Sequence, residues 1–401
     1  SRAITGRIGG PCLYLSCGRT GGRMRLSDAE SELRERAASF AAERIEPVAV
    51  EHERTGTHPT DIVRAAAREG LTSAALPAEY GGGGLGITGS LLVREALYAA
   101  DPGIAEAITG SMFGCEIIAE EGTDAQAERW VRPVTDGELI TGAAMTEPRG
   151  GSDFANTETR ATRDGDEYVL DGEKIFIGNG HIADAVLVFA RTSDTDPPHR
   201  GLSSFVVEAG TDGFRREELE GFVGPGAMAL GELTLDGARV PVEARIGDEG
   251  DGFYQAMRTM NGSRLEIAAS SIGAARGALD RTIEYISERE TFGKPVKERQ
   301  AVRHRIANYE ARLEALRTFT YATARDLEEN VDLAEEPAMA KLLAAQLAEE
   351  VASDAIQLHG GYGLLDEYRV EEYLRWAKIA QIYDGTNEVM RSIIAESVLD
   401  E

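Results

Sequence analysis

The sequence predicts an α+β multidomain protein with an N-terminal all-α domain, a central antiparallel β domain and a C-terminal four-helix bundle. Three observations carry that expectation. Apolar residues recur at helical spacing from Leu26 to about Leu139. The period shortens to two between about Ile140 and Gly247, where Asp-Gly pairs stand at 164–165 and 171–172. Long Ala- and Leu-rich stretches then run from Asp248 to the end, the pattern of antiparallel bundle helices. The implied segments are 1–24 as a leader, 25–139, a barrel-like 140–247, and 248–401.

The leader holds six Gly and four Arg within residues 1–23 and no acid. It reads as disordered or non-native upstream sequence rather than a transit peptide, because it lacks an amphipathic stripe. Ser27 followed by Glu30 then marks a helix start through a capping box. "DIVRAAAREGL" gives a second helix ended by Gly70, and "PAEYGGGGLG" a loop that lacks the Lys-Ser/Thr of a phosphate loop. "GSLLVREALYAA" and "GIAEAITGSMFGCEIIAEEG" read as buried helices. In the β region the two Asp-Gly pairs signal hairpins, and "DAVLVFARTS", "SSFVVEAG" and "GELTLDGARVP" add strands. Three long helical stretches follow, beginning near Arg264, Arg299 and Glu336.

Composition removes several function classes. The chain has 401 residues and a formal net charge of -27, which opposes binding to a nucleic-acid backbone. No apolar run approaches the roughly 18 to 20 residues of a membrane span. Cys12, Cys17 and Cys115 make an odd number, a reducing-compartment pattern consistent with a cytoplasmic protein. The six His are scattered, and no cluster has metal-ligand spacing, so no metal is expected.

Two stretches carry chemistry. In "AAMTEPRGGSDFAN", residues 143–156, Gly150 and Gly151 allow close backbone approach, and Thr146 and Ser152 offer hydroxyls. Such a nest suits a flavin edge or a phosphate, and it also suits an ordinary Asx/Gly turn. In "YDGTNEVMRSIIAES", Asp384 precedes Gly385 and Thr386 at the mouth of a helix. It reads either as a helix cap or as a base.

"AMTEPRGGSD" resembles the first signature of the acyl-CoA dehydrogenase family, and "QLHGGYGLLDEYRVEEYLR" (357–375) resembles the second. "GEKIFIGNG" (172–180), "RETFGKPVKERQ" (289–300) and the closing "YDGTNEV" also lie at the family's places. The resemblance covers about residues 25–401 and implies an acyl-CoA dehydrogenase-like fold with FAD between the β domain and the C-terminal bundle. Met145, Thr146, Ser152, Phe176 and Gly178 match flavin-side positions. Arg289, Thr291, Phe292 and Gln300 match those holding the ADP half, and Gln357 and Gly361 those reaching it from a neighbouring subunit. Thr386 and Glu388 match positions near the phosphates and adenosine. Ser152, Ser263, Arg264 and Gly385 match substrate-side positions.

The implied reaction is α,β-dehydrogenation of an acyl-CoA, or of an acyl-carrier thioester, to the 2,3-enoyl product. Asp384 takes the α-proton, a hydride passes to flavin N5, and an electron-transfer flavoprotein accepts the electrons. A backbone N–H at the base position would polarise the thioester carbonyl, and a homotetramer is implied.

Two residues depart from the family's habit. Asp384 stands where Glu is usual, with about 1.3 to 1.5 Å less reach. Glu266 lies two residues past Arg264, about 200° round a helix, and is expected to face elsewhere. Gly178 stands where Thr or Ser is usual, and its missing side chain is expected to open space. That keeps an oxidase-type alternative alive, with O2 as acceptor as in acyl-CoA or nitroalkane oxidases. Glu372 and Trp376 are further departures, expected to have changed together as helix neighbours. A catalytically weak binding or assembly protein is the alternative from another class.

Overall fold

A computed structural model describes residues 25–333 and 335–399; the leader, Cys12 and Cys17 lie outside the described residues. Helix α1 (Asp28–Phe40) begins at the expected capping box. Ser27 Oγ accepts from the Glu30 N–H at 3.2 Å, and the Ser27 N–H donates to the Glu30 carboxylate at 2.7 Å. Both amides would otherwise be orphans of the helix start. A π-helical turn (Ala41–Ile45), α2 (Ala49–Thr55) and α3 (Thr60–Arg68) follow. Helices α4 (Gly86–Ala100) and α5 (Pro102–Thr109) are separated by Asp101, whose carboxylate caps α5 by accepting from the Ile104 N–H at 2.7 Å. The apolar stretch 103–122 is two helices rather than one. It breaks before α6 (Cys115–Glu121), where Gly114 takes φ 90°, a backbone that glycine adopts without steric cost. Short helices α7 (Asp124–Gln126) and α8 (Arg132–Thr135) complete the region.

Eight strands form the central sheet: β1 (Thr141–Ala144), β2 (Arg160–Asp164), β3 (Glu167–Gly178), β4 (Ala185–Arg191), β5 (Leu202–Glu208), β6 (Phe214–Glu218), β7 (Leu230–Pro241) and β8 (Arg245–Ile246). Their order is β6-β7-β3-β2-β4-β5-β8, with β1 beside β4. Most pairs are antiparallel, but β1 and β2 both meet β4 in parallel. Asp164-Gly165 makes the expected hairpin, with Asp164 opposite Glu167. Asp171-Gly172 does not turn the chain. Strand β3 runs through it, and the register against β7 slips between Leu170 and Gly172, a bulge. A Cβ at 172 would come within 2.5 Å of Thr159 Oγ1, so close packing rather than a turn explains this glycine. The sheet curls on itself: the rings of Tyr168 on β3 and Phe205 on β5 sit 4.8 Å apart.

The C-terminal region holds α9 (Gly252–Glu288), the small hairpin β9 (Glu290–Thr291) and β10 (Lys294–Pro295), α10 (Gln300–Glu328), α11 (Glu336–His359), α12 (Glu371–Ala380) and α13 (Asn387–Leu399). Helix α9 lies close against α4. A Cβ at Gly273 would fall 2.5 Å from the Glu95 carbonyl oxygen, and one at Gly277 only 2.1 Å from that of Ala99. Leu91 and Leu97 of α4 therefore share one core with Leu265 and Ile272 of α9, Leu347 and Val351 of α11, and Trp376 of α12. This contact sets the walls of the candidate site. No helix among the described residues is long and apolar enough to cross a membrane.

Candidate active site

Asp384 sits in the turn between α12 and α13 with φ 50°, followed by Gly385 at φ 88°. It does not cap α13. Thr386 does, its hydroxyl accepting from the Val389 N–H at 3.3 Å. The half-buried Asp384 carboxylate accepts no hydrogen bond among the described residues. Burial pushes its pKa up to about 6; Glu106 and Glu266 push the same way, and Lys341 and Arg94 oppose them. Isolation from solvent disfavours the charged form and makes the carboxylate a stronger base.

Lys341 was not foreseen. It is fully buried on α11, donates to the Gly385 carbonyl at 2.5 Å, and burial lowers its pKa to about 8. Its rarity was the available signal, as one of only five lysines in the chain. Arg264 feels Asp384 electrostatically, and its guanidinium donates to Asn261 Oδ1 at 2.9 Å. Ser263 is turned back on its own helix, donating to the Thr259 carbonyl at 3.3 Å.

Glu266 does not face elsewhere. It lies in the same electrostatic neighbourhood, held by the Arg94 guanidinium at 2.9 Å and by Ser90 Oγ at 2.5 Å. Two more carboxyls join it, Glu106 from α5 and Glu116 from α6. Glu106 accepts from Tyr98 (2.7 Å), Trp376 (3.0 Å) and Tyr383 (3.2 Å). Trp376 thus has a partner of its own, whereas Glu372 pairs with Arg369 at 3.4 Å; the two departures on α12 serve different contacts. Glu106 and Glu116 both lie in a stretch that reads from sequence only as buried helix, with nothing local to mark what its acids meet.

The 143–156 loop is pinned by a buried pair, Lys174 to Glu147 at 3.0 Å. Lys174 also donates to the Met145 carbonyl at 3.1 Å, and Glu147 accepts from the Glu158 and Thr159 amides at 2.7 and 2.9 Å. This presents Met145, Thr146 and the exposed Ser152 beside β3. There the register slips between Lys174 and Ile177, and Phe176, at φ 60°, stands 57% exposed. Gly178 opens no space: a Cβ there would meet the Phe113 ring at 3.2 Å.

The remaining predicted residues lie elsewhere. Arg289 ends α9, about 25 residues beyond Arg264, or roughly 37 Å along the helix. It makes no ion pair with Glu288 or Glu290; its guanidinium stacks over Tyr362 at 5.6 Å. Thr291 accepts from Arg299 at 2.8 Å, and Phe292 is 97% exposed. Gln300, Gln357 and Gly361 are exposed, and so is Glu388, which pairs with Arg391 at 2.9 Å. One chain therefore does not bring Arg289 to the Asp384 end of α9. An exposed aromatic on a bulge, free hydroxyls and Cβ-free backbone at Gly150 and Gly151 fit the edge of a flavin. The guanidinium and amide groups at the far end of α9 fit a pyrophosphate and its nucleoside.

Family models described as acyl-CoA dehydrogenase N-terminal, middle and C-terminal domains match residues 27–138, 142–238 and 250–399. The chain is similar to a short-chain-specific acyl-CoA dehydrogenase of Megasphaera elsdenii, at 34% identity over 93% of this chain and 99% of that one. It is similar to the caffeyl-CoA reductase-Etf complex subunit CarC of Acetobacterium woodii, at 32% identity over 94% and 100%. The solved butyryl-CoA dehydrogenase of Megasphaera elsdenii matches with TM-score 0.90 and 33% identity, over 94% of this chain and 100% of that one.

Proposed function

The chain belongs to the acyl-CoA dehydrogenase family, and from that premise we propose that Asp384 is the base of an FAD-dependent α,β-dehydrogenation of an acyl-CoA thioester. The enzyme class is that of the family, an oxidoreductase with FAD as cofactor. The observation that carries the residue assignment is the Asp384 carboxylate itself, poised near the substrate-side Arg264 and bound to nothing among the described residues.

Asp384 removes the proton from the carbon next to the thioester carbonyl. At neutral pH a carboxyl titrating near 6 is mostly ionised, while its proton affinity stays high enough for transfer. The backbone N–H groups of Asp384 and Gly385 make no backbone hydrogen bond among the described residues. They are free to donate to the carbonyl oxygen as negative charge builds there. Lys341, holding the Gly385 carbonyl, fixes the turn that aims both. Bound FAD supplies the acceptor for the hydride leaving the β carbon. Met145, Thr146, Ser152, Phe176 and Gly178 would hold its flavin end. Arg289, Thr291, Phe292, Gln300, Thr386 and Glu388, with Gln357 and Gly361 of a neighbouring copy, would hold the rest. The length of α9 between Arg264 and Arg289 supports a cofactor shared between subunits, and the homotetramer is the assembly that the family resemblance implies. An electron-transfer flavoprotein is the proposed acceptor, in line with the Etf complex of the relative from Acetobacterium woodii. A cytoplasmic location remains our reading of the cysteine pattern.

The Phe113 ring stands where the oxidase alternative would use room at Gly178, which counts against one of its supports. Anaerobic mixing with short acyl-CoAs tests the main reading: wild type should bleach its flavin, and Asp384→Ala should not. Equal bleaching by both removes Asp384 from the role. Fast reoxidation of the product-bound enzyme in air would restore the oxidase reading.

A further inference from the structure

A small hollow lies between α4, α6 and α9, of about 10 Å³, room for one water-sized group. Its walls are not those of a plain alkyl site. Thr72, Ser90, Arg94, Glu116 and Glu266 line it together with Leu71 and Val93. Glu266 is already engaged by Arg94 and Ser90. Arg94 is only 6% exposed, yet its Nε–H has no partner among the described residues; Thr72, 9% exposed, leaves its hydroxyl equally alone. Glu116 makes no hydrogen bond or ion pair among the described residues. The hollow thus presents a free donor at Arg94, a free hydroxyl at Thr72 and a free carboxyl at Glu116. Thr109, also in its wall, bonds the Tyr98 hydroxyl, and Tyr98 and Tyr383, the residue before Asp384, both donate to Glu106, so a short run of hydrogen bonds joins the hollow to the turn that carries the base.

We propose that this hollow receives a neutral, hydroxyl-sized hydrogen-bonding group on the acyl chain, beyond the carbon that yields the hydride. The proposal rests on the dehydrogenase reading above and names its substrate class. A hydroxyl can accept from Arg94 Nε–H and donate to Glu116 at once. A methyl would leave the buried Arg94 Nε–H and the half-buried Glu116 carboxyl without partners. A terminal carboxylate would enter beside Glu116 and Glu266 while the only guanidinium is already paired. An ammonium cannot accept from Arg94 and would stand against its charge. Burial raises the Glu116 pKa to about 8, so the lining is close to neutral overall, which suits a neutral guest.

The test is anaerobic flavin reduction by the FAD-loaded enzyme with 4-hydroxybutyryl-, pentanoyl-, glutaryl- and 4-aminobutyryl-CoA. The hydroxy thioester should exceed pentanoyl-CoA in kcat/KM by at least about tenfold, because a site built to bond a hydroxyl rejects the analogue lacking it. Equal or better turnover of pentanoyl-CoA overturns the proposal, leaving the hollow to a resident water; better turnover of the acid or the amine overturns it too. Reduction by none of them instead defeats the underlying dehydrogenase reading. Within each variant, the hydroxy-to-alkyl ratio should collapse toward one in Glu116→Leu and in Thr72→Val, and survive in Glu116→Gln. Flavin content is the check on folding, and an unchanged ratio in a folded Leu or Val variant sinks the proposal.

Discussion

Glu147 and Glu116 are both enclosed carboxyls, and they live in opposite circumstances. Glu147, in the flavin-side loop, receives Lys174, two backbone amides and the Thr159 hydroxyl, and those partners hold its pKa below the ordinary value although burial pushes it up. Glu116, on the Asp384 side, receives nothing, and burial drives its pKa up to about 8. Burial alone does not say what a charge is for; completeness of partners does. The satisfied region is scaffold, holding Met145 and Thr146 in place. The unsatisfied one is poised for something that arrives.

The sharpest way to break this contrast is at its working end. Asp384→Asn should lower the rate of flavin reduction by about 10²- to 10⁴-fold while the protein stays folded, read by stopped flow. Next comes the scaffold: Lys174→Met strands Glu147 and should cost about 3 to 5 kcal/mol of stability, seen as a lower Tm with loss of flavin. A small effect there would mean the pair is not what pins the loop.

The pH dependence of stability separates the two carboxyls by sign. Glu147, with its lowered pKa, stabilises the fold above the ordinary carboxylate pKa, and that contribution is lost as pH falls through its folded value. Glu116, raised to about 8, does the reverse. Its contribution is present below the ordinary glutamate value of about 4.3 and is lost as pH climbs through 8. Glu116→Gln should therefore raise Tm at pH 8 and leave it unchanged at pH 4. The smallest effect concerns Glu106, whose charge raises the Asp384 pKa. In Glu106→Gln the acid limb of flavin reduction should move to lower pH from its wild-type position near 6.

Periodicity in the sequence was enough for the helix–sheet–helix order, because period 3.6 and period 2 are local properties. The Ser27–Glu30 cap and the Asp164-Gly165 turn were legible for the same reason. Asp171-Gly172 carries the same turn letters, and what packs against it there, Thr159 just before β2, is not visible in those letters. In the site, Asp384, Gly385 and Arg264 were named from motif position, and the structure brings them within electrostatic reach of one another. Lys341, Arg94, Glu106 and Glu116 were not named. The first three matter through partners supplied by distant segments, as when Tyr98, Trp376 and Tyr383 converge on Glu106, and Glu116 through the walls that distant segments place round it. Glu266 was misplaced by reasoning round one helix, when its surroundings are set by α4 across the interface.

The backbone at Asp384 has φ 50°, a left-handed conformation in which Asp and Asn are several-fold enriched among non-glycine residues. The shorter acid thus has a local reason to be there, independent of reach. Lys341 holds that turn through the Gly385 carbonyl, so reach and backbone preference are set at a single position, and an Asp384→Glu exchange alters both at once.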